Sequence, residues 1–176
     1  MRGVSVPVTW LLVSAVLLAA GAQPGRADFR PTGPVAVVMA DSSGGGSFVV
    51  RLRGDNAPIM AGRVLELVKS GWYNNRPWYR VEHDFVIQGG GPGANEYVGH
   101  PRFMRDELGS IQHMRGTVGM STRGHDTGDA QWFINLRDNQ RLTVAYTLFG
   151  EVVDGIDVVD GILEGDVIAR IEVMPR

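Results

Sequence analysis

Residues 78–91 read WYRVEHDFVIQGGG. An arginine set among aromatics leads into a short apolar run, a lone glutamine and three glycines. The run is read as a β-strand at 85–88 that ends in a turn. Strand alternation puts Val86 and Gln88 on one face and Phe85 and Ile87 on the other. A second stretch, AQWFIN (130–135), repeats the combination, with Gln131 and Phe133 on one face and Trp132 and Ile134 on the other. A polar group between apolar neighbours needs a hydrogen-bond partner, either within the protein or in a ligand. Periodicity alone leaves both readings open: two glutamines on a barrel rim, or one wall of a binding site.

Outward from these strands the chain reads as β-rich. VAVVMA (35–40) and SFVVRLR (47–53) flank the turn residues DSSGGG and form a hairpin. Further short strands are expected at 78–81, 117–120, 131–136, 146–151 and 167–173, separated by glycine-rich loops. One helix is clear in GDNAPIMAGRVLELVKSGWY, where Met60, Val64, Leu67 and Val68 recur at helical spacing. Asp55 or Asn56 is expected to cap its start, Pro58 to sit in its first turn and Gly71 to stop it. A shorter helix is expected at 155–162, weakened by Gly161. About eight short strands and two helices suggest a closed antiparallel barrel capped at its ends, because closure removes exposed strand edges.

The bulk properties bound the function. At 176 residues the chain accommodates one globular domain. A net charge of −2 argues against a general electrostatic grip on nucleic acid. The absence of cysteine excludes disulfides, thiolate metal sites and thiol catalysis. Residues 1–27 carry an early arginine, an apolar run and a small-residue end with Ala20-Gly21-Ala22, the layout of a secretory signal peptide. The competing reading is an uncleaved membrane anchor, since residues 4–22 carry no charge. Residues 28–34 read as a spacer and 35–176 as the folded domain. The domain is therefore expected outside the cytoplasm, periplasmic or secreted, with membrane attachment only if the first segment is retained.

Several other constellations have a structural reading. GGGPGA (89–94) follows a strand, but no βαβ unit surrounds it, so a dinucleotide loop is set aside. Ser121, His125 and Asp126 share one glycine-rich loop without a nucleophile elbow and read as a solvated turn. His83, His100 and His113 lack metal-ligand spacing, and Trp72 and Tyr73 read as packing aromatics.

The run YRVEHDFVIQGG resembles the cyclophilin family of peptidyl-prolyl isomerases, in which an arginine, a phenylalanine and a glutamine precede paired glycines. DNAPIMAGRVLELVKSGWYNN, FMRDEL, GTVGMSTRGHDTGDAQWFIN and LTVAYTLFGEVVDGIDVVD are similar, in order and spacing, to further segments of that family. The resemblance covers Val35 to Val173. It implies an eight-stranded antiparallel barrel capped by two helices, the reading reached above. It also implies a peptidyl-prolyl cis-trans isomerase that assists protein folding, needs no cofactor or metal, and binds proline-containing peptides and unfolded clients as a monomer.

By the same resemblance Arg80 matches the catalytic arginine. Phe85, Val86, Phe133 and Leu142 match the proline pocket, and Gln88 and Gln131 the two glutamines beside it. Gln88 is assigned with Arg80 to the catalytic pair. Thr122 falls where the family has an asparagine that pairs with substrate through its main chain, and Tyr146 where members have histidine or tyrosine. The chain departs from the family pattern at Trp78-Tyr79 (for Phe-His), Gly91 (for aspartate), Ser121-Thr122 (for Ala-Asn) and Arg141 (for the tryptophan of cyclosporin-sensitive members). The last departure implies weak binding of that drug. The alternative function is a non-catalytic chaperone or adaptor on the same fold, and Arg80 discriminates, because catalysis requires it and simple binding does not.

Overall fold

The computed structural model describes residues 35–174 apart from 42–44 and 94, with the backbone alone for 35–41. The N-terminal leader and spacer expectations lie outside the described residues. Among the described residues eight strands and two α-helices follow in the order β1 (Val35–Asp41), β2 (Ser47–Leu52), α1 (Pro58–Lys69), β3 (Arg76–Val81), β4 (Val86–Gly89), β5 (Thr117–Met120), β6 (Trp132–Asn135), β7 (Leu148–Asp154), α2 (Ile156–Asp160) and β8 (Val167–Val173). Every strand pairs antiparallel with two neighbours, and the order β1-β2-β7-β5-β6-β4-β3-β8 closes on itself. The expected barrel capped by two helices is thus the observed fold.

Closure makes each strand's alternate residues an interior set, here aliphatic residues such as Val50, Ile87, Val118, Ile134 and Ile168 around a cluster of aromatics. Phe48, Tyr73, Trp78, Trp132 and Phe149 are buried together with Met60, Val64 and Val68 of α1. Trp78 meets Trp132 edge to face at 5.1 Å between ring centroids, and Tyr73 meets Trp132 at 5.9 Å. Such pairs add roughly 0.5–1.5 kcal/mol beyond their buried area. Trp78, a departure from the family habit, therefore belongs to the core. Gly90 follows β4 at φ 91°, and a Cβ there would lie 2.5 Å from Trp132 Nε1, so only glycine fits the exit from that strand.

Two local expectations need correction. Neither Asp55 nor Asn56 caps α1: Asp55 binds Arg53, and Asn56 donates to the Leu148 carbonyl at 2.8 Å. The capping group comes from the long loop instead. Glu107 accepts from the backbone N–H of Ile59 at 3.1 Å and of Met60 at 2.6 Å. A carboxylate at this place satisfies orphan donors and complements the positive helix end. The second helix stops at Asp160, before Gly161 and Ile162, although Ile162 is still buried beside Val159.

Candidate active site

The site is assembled where β3, β4 and β6 run side by side. Gln88 pairs with Arg80 on one flank and with Phe133 on the other, so the three lie in one row across the sheet. Val86 lies two residues from Gln88 and falls on the same face, as alternation requires. Phe85 does not follow that alternation. It precedes β4 in a turn in which its N–H donates to the Glu82 carbonyl at 2.8 Å, and the turn brings its ring to the same side as Val86.

These residues line a cleft of about 190 Å³ with Ser121, Thr122, Leu142 and Tyr146, and with Glu96 and Arg123 at its polar side. That is small beside the roughly 300–1,000 Å³ of drug-sized ligand pockets and suits a single ring-sized group. A neighbouring groove shares Arg80 and Phe85, and Phe85 is its one apolar lining residue, the others being Glu82, His83, Asp84, Arg137, Asp138, Asn139, Gln140 and Arg141. The cleft therefore has the better chemistry for holding an apolar ring.

Gln131 is the one sequence-chosen residue outside the lining. It precedes β6 and is fully buried, and its Nε2 donates to the Glu96 carbonyl at 3.0 Å and to the Asp129 carboxylate at 3.2 Å. Asp129 is also paired with Arg123 at 2.8 Å. Gln131 thus stands behind the wall that Glu96 and Arg123 present to the cleft.

The floor ring, Phe133, is fixed from three sides. His113 stacks on it at 5.6 Å between centroids, and Tyr146 meets its edge at 5.5 Å. Beneath the ring lies Gly119 of β5, where a Cβ would come within 2.4 Å of Phe133 Cζ. A glycine inside a strand signals such a close approach, and Gly119 is the mark that the sequence carries of it.

His113 is buried, with Nε2 3.1 Å from the Tyr146 carbonyl and Nδ1 3.0 Å from Asn135 Nδ2. A carbonyl only accepts and an amide NH₂ only donates, so the neutral Nε2–H tautomer satisfies both contacts. Burial pushes the imidazole below its ordinary pKa, against the smaller opposing pull of the Tyr146 carbonyl. Asn139 then donates to Asn135 Oδ1 at 2.8 Å and to the Phe85 carbonyl at 3.0 Å. A buried polar chain thereby ties the support of Phe133 to the backbone of Phe85.

Arg80 is held from two directions. Its Nε and Nη2 donate to Glu82 Oε1 at 2.8 and 2.5 Å, and its Nη1 donates to Gln88 Oε1 at 3.2 Å. A guanidinium has five N–H donors, so one on each terminal nitrogen remains for a ligand. The Phe85 ring lies under two cations, Arg80 at 5.8 Å and Arg141 at 5.1 Å from its centroid. Arg141 therefore packs against a cleft-lining ring.

The set-aside constellations are resolved by their contacts. Ser121 Oγ accepts from Gln88, while His125 Nδ1 lies 3.3 Å from Asp106, so these two are engaged elsewhere. Tyr73 packs in the core, while Trp72 is half-buried, donating to the Gly90 carbonyl at 3.1 Å with Arg76 4.8 Å over its ring. Among the described residues no group of three or more His, Asp or Glu side chains is placed to hold a metal ion.

The chain matches the family described as cyclophilin type peptidyl-prolyl cis-trans isomerase/CLD over residues 36–174. The chain belongs to this family. It is an isomerase that accelerates rotation about Xaa-Pro peptide bonds. It is 35% identical over 128 residues to peptidyl-prolyl cis-trans isomerase B of Escherichia coli K12, covering 66% of this chain and 78% of that relative. It is 32% identical over 130 residues to a peptidyl-prolyl cis-trans isomerase of Helicobacter pylori, covering 72% and 80% respectively. Among solved structures, a cyclophilin-type isomerase of Cryptosporidium parvum superposes with a TM-score of 0.72 at 22% identity, covering 81% of this chain and 99% of that one. A second crystal structure of that protein, obtained in the presence of the dipeptide Ala-Pro, gives 0.71. At that identity the structural likeness speaks for the fold.

Proposed function

We propose that the cleft carries the isomerisation, with Arg80 as its electrostatic catalyst and Phe85, Val86, Phe133 and Leu142 as its proline pocket. The observation behind this reading is that Arg80, with two uncommitted N–H groups, lines the same cleft as those apolar side chains. The Xaa-Pro bond resists rotation by ~20 kcal/mol because resonance gives its C–N bond partial double-bond character. At the perpendicular geometry that resonance is lost and the prolyl nitrogen regains a lone pair. A fixed guanidinium donates a hydrogen bond to that lone pair and has no comparable acceptor in the planar ground state. Stabilisation confined to the transition state raises turnover. A ~10⁵-fold acceleration corresponds to about 7 kcal/mol, of which desolvated charge-assisted contact and restriction of the bound peptide are the sources.

Thr122 and Tyr146 bound the substrate path, and Gln131 acts from behind by holding the Glu96 and Asp129 wall. The substrates are proline-containing segments of unfolded or incompletely folded proteins, bound by a single copy of this chain. The layout of residues 1–27 supports work outside the cytoplasm after removal of a signal peptide. Two-dimensional exchange NMR on a Xaa-Pro peptide tests the reaction. Wild type is expected to broaden and cross-link the cis and trans resonances, and Arg80→Ala to lose nearly all of that effect. An undiminished rate in Arg80→Ala would overturn the assignment of Arg80, and a binding-only role for the cleft would take its place.

A further inference from the structure

Two positions at which this chain departs from the family habit, Tyr79 and Ser121, converge on one atom. Gln88 Nε2 donates to Tyr79 Oη at 2.6 Å and to Ser121 Oγ at 2.7 Å. An amide nitrogen has two hydrogens, so both are used. At the other end of the same amide, Oε1 accepts from Arg80 Nη1 at 3.2 Å. The orientation of the amide is fixed by chemistry, because guanidinium has no acceptor and would face a second donor if the amide were reversed. Gln88 is 5% exposed, so no water competes freely for these contacts.

The backbone explains how Tyr79 reaches this point. Trp78 pairs with Gly89 and Arg80 pairs with Gln88, which leaves Tyr79 as an additional residue on β3 with no counterpart on β4. Such a bulge re-aims side chains that strict alternation would send to opposite faces. Trp78 therefore enters the core, while Tyr79 and Arg80 both reach Gln88. Ser121 comes from the other side, just after β5, where its N–H donates to the Gln131 carbonyl at 2.8 Å.

We propose that Tyr79 and Ser121 form a two-hydroxyl clamp that holds the Gln88 amide with its carbonyl on Arg80, making both of them positioning residues for the catalytic guanidinium. This rests on the assignment of Arg80 to the reaction. Glu82 grips the guanidinium by Nε and Nη2, and clamped Gln88 sets the third contact, so the two free N–H groups are presented in one orientation. Without the hydroxyls the amide is free to rotate about its last torsion, and the third contact to Arg80 is shared among conformers. Apolar contact in the proline pocket is unchanged, so the loss is expected in turnover and not in peptide binding.

The test uses Tyr79→Phe, Ser121→Ala and Ser121→Thr in the full domain, with a Xaa-Pro peptide followed by exchange NMR and the side-chain ¹⁵N–¹H resonances of Gln88 and Arg80 recorded in parallel. Removing one such hydrogen bond is expected to lower kcat by about fivefold to tenfold while KM moves by less than about twofold. Both variants should shift the Gln88 NH₂ and Arg80 Nε signals. Ser121→Thr, which restores a hydroxyl, should retain more kcat than Ser121→Ala. The clamp is overturned if Tyr79→Phe and Ser121→Ala keep wild-type kcat while Arg80→Ala is inactive, or if Ser121→Thr and Ser121→Ala are equally impaired. A wild type without rate enhancement overturns the isomerase reading itself, and the clamp's catalytic role with it. Should Tyr79→Phe fail to fold, the serine pair alone decides.

Discussion

The imidazole of His113 lies against the ring of Phe133 with centroids 5.6 Å apart and planes 23° from parallel. The residue that forms the cleft floor thus rests on a buried titratable group, whose two nitrogens are each committed to a partner of fixed polarity. Protonation would place an Nδ1–H against the Asn135 NH₂, donor against donor. The polar chain from His113 through Asn135 and Asn139 to the Phe85 carbonyl would lose its first link.

A pH dependence of stability follows. Burial lowers the His113 pKa in the folded protein below its ordinary 6.5, so the unfolded chain takes up this proton first as pH falls. The stability associated with neutral His113 is complete above about pH 6.5 and is lost as pH falls through the lowered folded value. Denaturant midpoints measured from pH 7.5 down to pH 5 are expected to decline in wild type. His113→Phe should be less stable at pH 7.5 by about 1–3 kcal/mol, since it leaves the Tyr146 carbonyl without its donor. Its midpoint should decline less steeply over the same range. A parallel decline in both proteins would remove His113 as the cause.

Gly119→Ala probes the floor from the opposite side. The new methyl would press on Phe133 Cζ from 2.4 Å, and the ring is already bounded by His113 and Tyr146. Overpacking of this kind costs about 1–3 kcal/mol. Reduced affinity for proline peptides by titration, together with a lower unfolding midpoint, is expected. Unchanged affinity would mean that the ring has room to move without altering the pocket.

How much of this was legible in the sequence depends on what each residue's position rests upon. The rows Val86–Gln88 and Phe133 followed from strand alternation, and Met60, Val64, Leu67 and Val68 from helical spacing, because regular elements convert spacing directly into facing. Phe85 did not, since a turn and not the strand sets its direction. Tyr79 stands out in the sequence only as a departure beside Arg80, and its reach to Gln88 is hidden for a related reason: a bulge breaks the alternation of a regular strand. Ser121 and Glu107 act on partners 33 and 47 to 48 residues away along the chain, and nothing local marks such contacts. Gln131 was grouped with the pocket by motif, whereas its bonds to Glu96 and Asp129 place it behind the wall.

The N-terminal segment gives a prediction of a different kind. Protein recovered from the exported fraction is expected to begin between Gln23 and Asp28, after the small residues Ala20-Gly21-Ala22. Edman sequencing or intact mass decides the matter, and a mature chain that still begins at Met1 would turn the leader into an anchor.

Glu107 offers the sharpest test of how the long loop is joined to the barrel. Its carboxylate accepts from the Ile59 and Met60 N–H groups at the start of α1, and its own N–H donates to Thr147 Oγ1 at 2.8 Å. One residue therefore links the helix start, the loop and the segment entering β7. Glu107→Ala removes both acceptors and the charge that complements the helix end, a loss of about 1–2 kcal/mol. Glu107→Gln keeps one amide oxygen as acceptor but not the charge, so its loss should be smaller. Because Glu107 does not line the cleft, the ratio of kcat to KM measured well below the unfolding transition is expected to stay near wild type for both variants. Equal destabilisation by Ala and Gln would assign the effect to charge alone, and no destabilisation by either would show that α1 is held by its buried face without the cap.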